Sequence, residues 1–168
     1  YGHHLLSMLK NDRVEVAAVC DVDRNHRDRA ASEVLEKTGK RIAAYEDFRH
    51  LVDRKDLDAV LIATPDHWHT LPAIAAAEAG KDIYCEKPLT LTVNEGKALV
   101  AAVRRYGVVF QTGSQQRSDN AFRKACELVR SGAIGRLKRI DTVLHPVRKG
   151  DWQPVGTPPP ELNWNFWL

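Results

Sequence analysis

Side chains that could do chemistry follow three short apolar runs of the sequence. Asp21 follows the run VEVAAVC, the stretch TPDHWHT at residues 64–70 follows AVLIA, and Glu86, Lys87 and Pro88 follow DIYC. Ligands of open α/β sheets bind at the carboxyl ends of parallel strands. If the three runs are such strands, these side chains predict a ligand site along one edge of a sheet.

The first of these side chains is an acid at a position where dinucleotide-binding folds use one. A carboxylate at the end of the second strand accepts hydrogen bonds from the adenosine ribose hydroxyls and repels a 2′-phosphate. Asp at a strand end is also common as a helix cap, and we expect Asp23 to be that cap. Arg24, beside Asp21, could accommodate a phosphate. Asp21 alone therefore does not decide whether the cofactor is NAD or NADP.

The stretch TPDHWHT turns the chain out of its strand, because Pro65 cannot continue a central strand. A nicotinamide ring would lie at this edge. Asp66, His67 and His69 are also metal-ligand types, but no third cluster of Cys, His or acid accompanies them, so we expect no metal site. A third interpretation makes His69 and Thr70 cap residues of the alanine-rich stretch that follows.

The tripeptide Glu86-Lys87-Pro88 combines a carboxylate, an ammonium group and a residue that favours a turn. Lys87 could orient a substrate hydroxyl or relay its proton. Adjacent strand residues point to opposite faces, so a direct pair between Glu86 and Lys87 is not assured. Pro88 would fix the turn, and a cis peptide bond before it is our hypothesis. An isolated Glu-Lys-Pro is more often an ordinary polar strand end.

The elements that would position these residues alternate between strands and helices. Strands are predicted at residues 14–20, 59–63, 82–85 and 108–111, and helices at 24–38, 71–79 and 93–106, each closed by a glycine. Thr92 and Glu95 have the spacing of a capping box for the third helix. This alternation predicts an α/β fold with a doubly wound parallel sheet of the Rossmann type.

Two further features concern the limits of this domain. A pyrophosphate cradle needs several glycines, yet only Gly2 precedes Asp21, so we expect the first strand and its glycine loop upstream of Tyr1, with residues 1–10 as the helix after the loop. We expect a dinucleotide-binding domain at residues 1–113 and the truncated start of a second α+β domain at 114–168. The second domain is predicted to hold a helix at 120–130 and a strand at 137–144, and its terminal NWNFWL needs a packing partner.

Composition excludes several classes of function. The 168 residues carry a net charge of +3, which demands no nucleic acid, and the basic run at 24–29 is expected to be a solvated helix face. No apolar stretch is long enough to cross a membrane. Three scattered cysteines indicate no disulfide framework and point to a reducing compartment. We therefore expect a cytoplasmic protein, or a periplasmic one if a signal peptide lies upstream.

The order of these stretches resembles the Gfo/Idh/MocA family of glucose-fructose oxidoreductases and inositol dehydrogenases. The matching features are the acidic strand end, TPDHWH, an alanine-rich helix closed by AGK, YCEKPL, and later SGAIG. The resemblance covers nearly all of the chain and is most specific over residues 63–88. It implies a Rossmann domain that binds NAD or NADP, and hydride transfer to or from a carbon of a sugar, inositol or related polyol.

The resemblance also implies roles for single residues. Lys87 would be the catalytic lysine and contact the substrate, and Asp21 would hold the adenosine ribose. The rest of the cofactor site would be Thr64, Pro65, Asp66, His67, His69, Glu86, Lys87 and Pro88. The substrate would also meet Gln115, Gln116 and Arg117. Members of the family usually associate through the second domain, so a homo-oligomer is expected for the full-length protein.

Two departures from the family leave alternatives open. The glycine loop and the second-domain acid and histidine have no counterpart, and His145 lies too soon after its strand to replace that histidine. The chain is therefore expected to be inactive by itself. An NAD-dependent glycosidase, acting by transient sugar oxidation and elimination, is one alternative to the dehydrogenase. A non-catalytic cofactor-binding fragment is the other.

Overall fold

Short parallel strands form the centre of the fold. The protein's structure is a computed structural model that describes residues 2–144, 150 and 154–168. Among these residues, the strands are β1 (Ala18–Cys20), β2 (Ala43–Tyr45), β3 (Ala59–Ile62), β4 (Asp82–Cys85) and β5 (Phe110–Thr112). Every strand pair is parallel, in the hydrogen-bonded orders β1-β2 and β3-β4-β5. The predicted Rossmann-like α/β class is confirmed.

The two hydrogen-bonded strand orders fit the doubly wound topology. In the dinucleotide-binding order 3-2-1-4-5-6, the first strand separates the second from the fourth. The strands β1 and β2 correspond to strands 2 and 3 of this order, and β3, β4 and β5 correspond to strands 4, 5 and 6. The strand β2 was not predicted, because the three residues AAY are too few to show the alternation of apolar and polar side chains that marks a strand. The strands β1 and β5 begin at Ala18 and Phe110, later than predicted.

Helices connect the strands, and their ends follow the local sequence signals. They are α1 (Gly2–Leu9), α2 (Arg24–Thr38), α3 (Phe48–Val52), α4 (Thr70–Glu78), α5 (Val93–Tyr106), α6 (Asn120–Arg130) and α7 (Trp164–Trp167). Asp23 caps α2 by accepting from the backbone N–H groups of Asn25 and His26. The predicted capping box begins α5, and Gly107 ends it at φ 68°, a left-handed conformation that glycine adopts without strain.

The core packs the alanine-rich helix α4 against the central strands. Ala73, Ala76 and Ala77 are fully buried, in one cluster with Ile83 and Cys85 of β4 and with Val52, Ile62 and Leu99. Small side chains let α4 approach β4 closely. A second cluster, formed by Leu5, Ala30 and Val34, joins α1 to α2. These two clusters fix the strands whose carboxyl ends carry the candidate site.

The chain forms two compact units. One comprises Tyr1–Gly113 with Pro158–Leu168, and the other is Ser114–Thr157. Residues 158–168, which the sequence analysis placed with the second domain, therefore lie within the first unit. The second unit holds α6, whose predicted bounds match. The predicted strand at 137–144 is wrong: these residues are irregular and exposed, since no described segment pairs with their backbone. His145 lies outside the described residues.

Candidate active site

The register of β3, β4 and β5 aligns the carboxyl ends of these strands at one edge of the sheet. Ile62 pairs with Cys85, and Cys85 pairs with Thr112. The backbone bonds continue beyond the strands, because Glu86 N–H donates to Ile62 O at 2.9 Å and Gly113 N–H donates to Cys85 O at 2.7 Å. The turn at residues 64–69 and the turn at residues 86–88 thus leave neighbouring strands on the same side.

The 64–69 turn is shaped by its own backbone. Asp66–Trp68 form a 3-10 turn, with Trp68 N–H donating to Pro65 O at 2.8 Å. The Thr64 hydroxyl donates to Trp68 O at 2.9 Å. Thr64, Pro65 and Asp66 are exposed. Thr64 therefore stabilises the turn, while Pro65 and Asp66 present free surface at the sheet edge.

His69 connects this turn to the next one. Its ring is 1% exposed, and its Nδ1 lies 2.5 Å from the carbonyl oxygen of Pro88. The His69 side chain makes no cap hydrogen bond to α4, so it does not act as the helix cap that one interpretation of the sequence gave it. Among the described side chains, His69 Nε2 and Thr70 Oγ1 are buried without a hydrogen-bond partner. The turns at residues 64–69 and 86–88 are therefore in direct contact.

The Glu86 side chain lies against His4, the Lys87 backbone and Gly113. It makes no hydrogen bond or ion pair with the Lys87 ammonium. Its Oε1 lies 2.9 Å from His4 Nε2, and its Oε2 accepts from the Lys87 backbone N–H at 3.2 Å. A Cβ on Gly113 would lie 2.6 Å from Oε1, so glycine is required by this close approach. His4 was not predicted as a site residue, since no sequence signal links α1 to β4.

The carboxylate of Glu86 also affects the groups beside it. Burial, and then the negative charge of Glu86, raise the pKa of the Cys85 thiol to about 11. The same two causes raise the pKa of the Tyr84 phenol. Both side chains are therefore neutral near pH 7, and they contribute packing and polarity to the site rather than charge.

Lys87 stands free at the end of β4. Its side chain is exposed, and within the described part of the chain it has no hydrogen-bond or ion-pair partner. The Lys87–Pro88 peptide bond is cis, as hypothesised from the sequence. An unpaired ammonium at the sheet edge can donate to a ligand hydroxyl without first giving up an internal partner.

Asp21 lies at the carboxyl end of β1. Its Oδ1 accepts from Asp23 N–H at 2.9 Å, and its Oδ2 lies 3.8 Å from His26 Nδ1. Burial raises the pKa of the Asp21 carboxyl, although the Asp23 backbone N–H and His26 act in the opposite direction. A carboxylate has about four lone-pair sites, so Asp21 retains capacity to accept from a diol.

His67 is engaged by the end of the chain. Its Nε2 donates to Trp167 O at 2.7 Å, and Trp68 Nε1 donates to the same oxygen at 2.8 Å. Sequence reasoning missed Trp68 and Trp167 as partners of this turn. The one sequence signal for this contact was the aromatic stretch NWNFWL, which predicts packing against another part of the chain but does not identify that part.

The predicted substrate residues Gln115, Gln116 and Arg117 belong to the second unit. They form an exposed 3-10 turn, Gln115–Ser118, in which Arg117 N–H donates to Ser114 O at 3.0 Å. Within that unit, their side chains are free to meet a ligand.

The polar groups at this sheet edge are of the types that a dinucleotide would contact. Asp21 supplies acceptors for ribose hydroxyls, and the edge beside Pro88 holds the unpaired His69 Nε2. The described residues contain no group of three or more Cys, His or acidic side chains arranged to hold a metal ion. Nor does any described helix have the length and apolar character needed to cross a membrane.

Comparison with known proteins identifies the family. Residues 2–114 match the family model Gfo/Idh/MocA, described as an oxidoreductase family with an NAD-binding Rossmann fold. The levoglucosan dehydrogenase of Pseudarthrobacter phenanthrenivorans is 40% identical over 121 residues, which are 71% of this chain and 29% of that protein. The 2,7-anhydro-N-acetylneuraminate hydratase of Mediterraneibacter gnavus is 32% identical over 118 residues, which are 70% of this chain and 29% of that protein.

A solved structure shows the same fold with its ligands. The crystal structure of scyllo-inositol dehydrogenase from Lactobacillus casei, with bound cofactor NAD(H) and scyllo-inositol, superimposes with a TM-score of 0.70 at 29% identity. The match covers 79% of this chain and 38% of that chain. The present chain thus spans well under half the length of the proteins that it matches. It belongs to the Gfo/Idh/MocA family of oxidoreductases, whose NAD-binding Rossmann fold it carries in residues 2–114.

Proposed function

We propose that this chain is the cofactor-binding part of a dehydrogenase that transfers a hydride between NAD and a sugar, inositol or related polyol. Residues 1–113 would be the dinucleotide-binding domain. The observation that carries the proposal is the bond from His69 Nδ1 to Pro88 O, because it sets Lys87 beside the 64–69 turn. The names of the relatives, a levoglucosan dehydrogenase and an inositol dehydrogenase, support the substrate class.

The proposed cofactor contacts follow the sheet edge. Asp21 would accept from the adenosine ribose hydroxyls, and Thr64, Pro65, Asp66 and His69 would line the nicotinamide side together with Glu86 and Pro88. NAD is favoured over NADP, since the Asp21 carboxylate would repel a 2′-phosphate. Arg24 is exposed beside it and is the residue through which NADP could still be accepted.

Lys87 would act on the substrate oxygen. The bound nicotinamide supplies the hydride acceptor, and the protein orients the reacting carbon. The Lys87 ammonium would donate a hydrogen bond to the substrate hydroxyl and stabilise the negative charge that develops there as the hydroxyl proton passes to a base or to water. Gln115, Gln116 and Arg117 stay proposed as substrate contacts of the second unit.

Substitution of Lys87 tests this assignment. In the full-length protein, Lys87→Met is expected to lower kcat by at least about 100-fold, the range of one general acid–base group, while the NAD dissociation constant changes by less than about threefold. Lys97→Met is the matched control, because Lys97 is an exposed lysine of α5. Formation of NADH with inositols and sugars is the activity readout. Equal activity of the two variants would falsify the role of Lys87.

One relative favours a second candidate function. The Mediterraneibacter gnavus protein is named a hydratase, so a member of similar sequence carries out a reaction whose name implies no net oxidation. An NAD-dependent glycosidase, acting by transient oxidation and elimination, is the corresponding alternative for this protein. Incubation with a glycoside separates the two: a dehydrogenase accumulates NADH, whereas the alternative releases free sugar without net NADH. Binding of NAD with neither product would indicate a non-catalytic domain.

A further inference from the structure

The last residues of the chain run along the sheet edge that carries the candidate site. We call residues 161–168 the rim strap. Near Asp21, Arg24 N–H donates to Glu161 O and Asn163 N–H donates to Val22 O, each at 3.0 Å. Between these bonds, Leu162 forms an antiparallel bridge with Asp23. The rim strap therefore begins as a short added strand beside the residues that follow β1.

The middle of the rim strap crosses the end of β2. Asn163 Nδ2 donates to Oε1 of Glu46, the residue directly after β2. The same side chain accepts from Phe166 N–H at 3.2 Å through its Oδ1 and so caps α7. A single asparagine thus fixes both the crossing point and the start of the terminal helical turn.

The far end of the rim strap contacts the 64–69 turn. Trp167 O accepts from His67 Nε2 at 2.7 Å and from Trp68 Nε1 at 2.8 Å. The Phe166 ring stacks on Trp68, with ring centroids 5.7 Å apart and planes 8° from parallel. Two side-chain donors converging on one backbone oxygen, beside a stacked pair, define a specific contact rather than general apolar packing.

We propose that the rim strap is a positioning element of the NAD site, and that Trp68 and His67 are the positioning residues through which it acts on the 64–69 turn. Pro88 anchors this turn at His69, and Trp167 anchors it at residues 67 and 68. With both anchors in place, Pro65 and Asp66 are held where the nicotinamide side of the site lies. In this account, His67 is not a cofactor ligand. The inference rests on the proposed function, which it extends to the C-terminal residues.

The inference distinguishes the two ends of the cofactor. ADP-ribose carries the adenosine and both phosphates but lacks nicotinamide. Loosening the 64–69 turn should therefore weaken the binding of NADH and leave ADP-ribose almost unaffected. If the rim strap only stabilised the whole unit, loss of its contacts would weaken both ligands equally.

Trp68→Phe isolates the hydrogen bond, because phenylalanine keeps a ring for the stack and lacks the indole N–H. Trp164→Phe is the matched control: Trp164 lies in α7 with Trp167, the two rings stack with centroids 5.0 Å apart, and the Trp164 indole N–H has no partner among the described residues. A third variant, Trp68→Phe with His67→Phe, removes both donors to Trp167 O. Dissociation constants for NADH and for ADP-ribose would be measured by titration on each full-length variant. Hydrogen–deuterium exchange of residues 64–69 would be followed without ligand.

Trp68→Phe is expected to raise the NADH dissociation constant about tenfold and the ADP-ribose constant by less than about twofold. Exchange of residues 64–69 should be faster than in Trp164→Phe, and fastest in the double variant. Equal weakening of both ligands, or exchange no faster than in the control, overturns the inference. If the wild-type protein binds neither ligand, the proposed function fails, and the exchange comparison still decides whether the rim strap positions the turn.

Discussion

His69 joins the two turns of the candidate site through one bond, from its Nδ1 to the carbonyl oxygen of Pro88 at 2.5 Å. A carbonyl can only accept, so Nδ1 must carry the hydrogen, and in the neutral ring Nε2 is left as an acceptor. That Nε2 is buried and has no partner among the described residues. The spacing of the two turns therefore depends on one imidazole, which uses one ring nitrogen for this bond and keeps the other buried.

Replacing His69 should separate the turns. His69→Leu leaves Pro88 O without its donor and is expected to lower the free energy of unfolding by about 1–3 kcal/mol. His69→Asn should recover at least half of that loss, because its amide N–H can occupy the place of Nδ1. Urea unfolding measures both. Equal stabilities for the leucine and asparagine variants would show that packing of the ring, rather than the bond, holds the turns together.

Gly113 should tolerate no side chain. In Gly113→Ala, the new Cβ would lie 2.6 Å from Glu86 Oε1 and 3.0 Å from Glu86 Cα, so both the side chain and the backbone of Glu86 must move. We expect a loss of about 1–3 kcal/mol in the free energy of unfolding.

Gly96→Ala is the control for that substitution. Gly96 lies inside α5, and its nearest obstacle is Thr90 Oγ1 at 3.4 Å. Alanine should stabilise this helix by about 0.5–1 kcal/mol, because it restricts the unfolded chain. Thermal unfolding of the two variants should therefore shift in opposite directions, and shifts of the same sign would contradict the tight contact at Gly113.

Asp21 should make stability depend on pH in a defined direction. Burial raises the pKa of this carboxyl above its ordinary value of 3.8, so the folded protein binds the proton more tightly than the unfolded chain does. The ionised carboxylate therefore costs stability, and this cost grows as pH rises from 3.8 through the folded pKa, then levels off. Asp21→Asn lacks the ionisation, so its advantage over the wild type should grow over the same range.

Urea unfolding of both proteins at a series of pH values measures this difference. Asp66→Asn is the control for the change of residue type, because Asp66 is an exposed aspartate. An advantage of Asp21→Asn that shrinks as pH rises would mean that His26, rather than burial, dominates the environment of Asp21.

The three cysteines should differ in reactivity. Burial, followed by the charge of Asp21, raises the pKa of Cys20 to about 12, and Cys85 has a pKa of about 11, whereas Cys126 is exposed. Only the thiolate is nucleophilic, so native Cys20 and Cys85 should react with iodoacetamide at least about 100-fold more slowly than in the urea-unfolded chain. Mass spectrometry after timed alkylation follows each site, with Cys126 as the internal reference. Fast native alkylation of Cys85 would contradict its burial beside Glu86.

Features set by local sequence could be predicted, and features set by distant contacts could not. The bounds of α2, α5 and α6 match because caps and glycines lie within a few residues of each helix end. The strand at 137–144 was predicted from alternation alone and does not form, since a strand needs a partner that periodicity cannot supply. The packing of NWNFWL on Trp68 was missed for the same reason: about 100 residues separate the two.

By itself, the sequence determined the alternation of strands and helices and the chemical groups at the strand ends, because both depend on neighbours along the chain. It also identified the family through residues 63–88. Only the tertiary structure decided that Glu86 faces His4 instead of Lys87, that His69 holds Pro88, and that Trp167 holds the 64–69 turn. These contacts depend on which side chains the folded sheet brings within hydrogen-bond distance, and residues far apart in sequence carry no local signal of that distance.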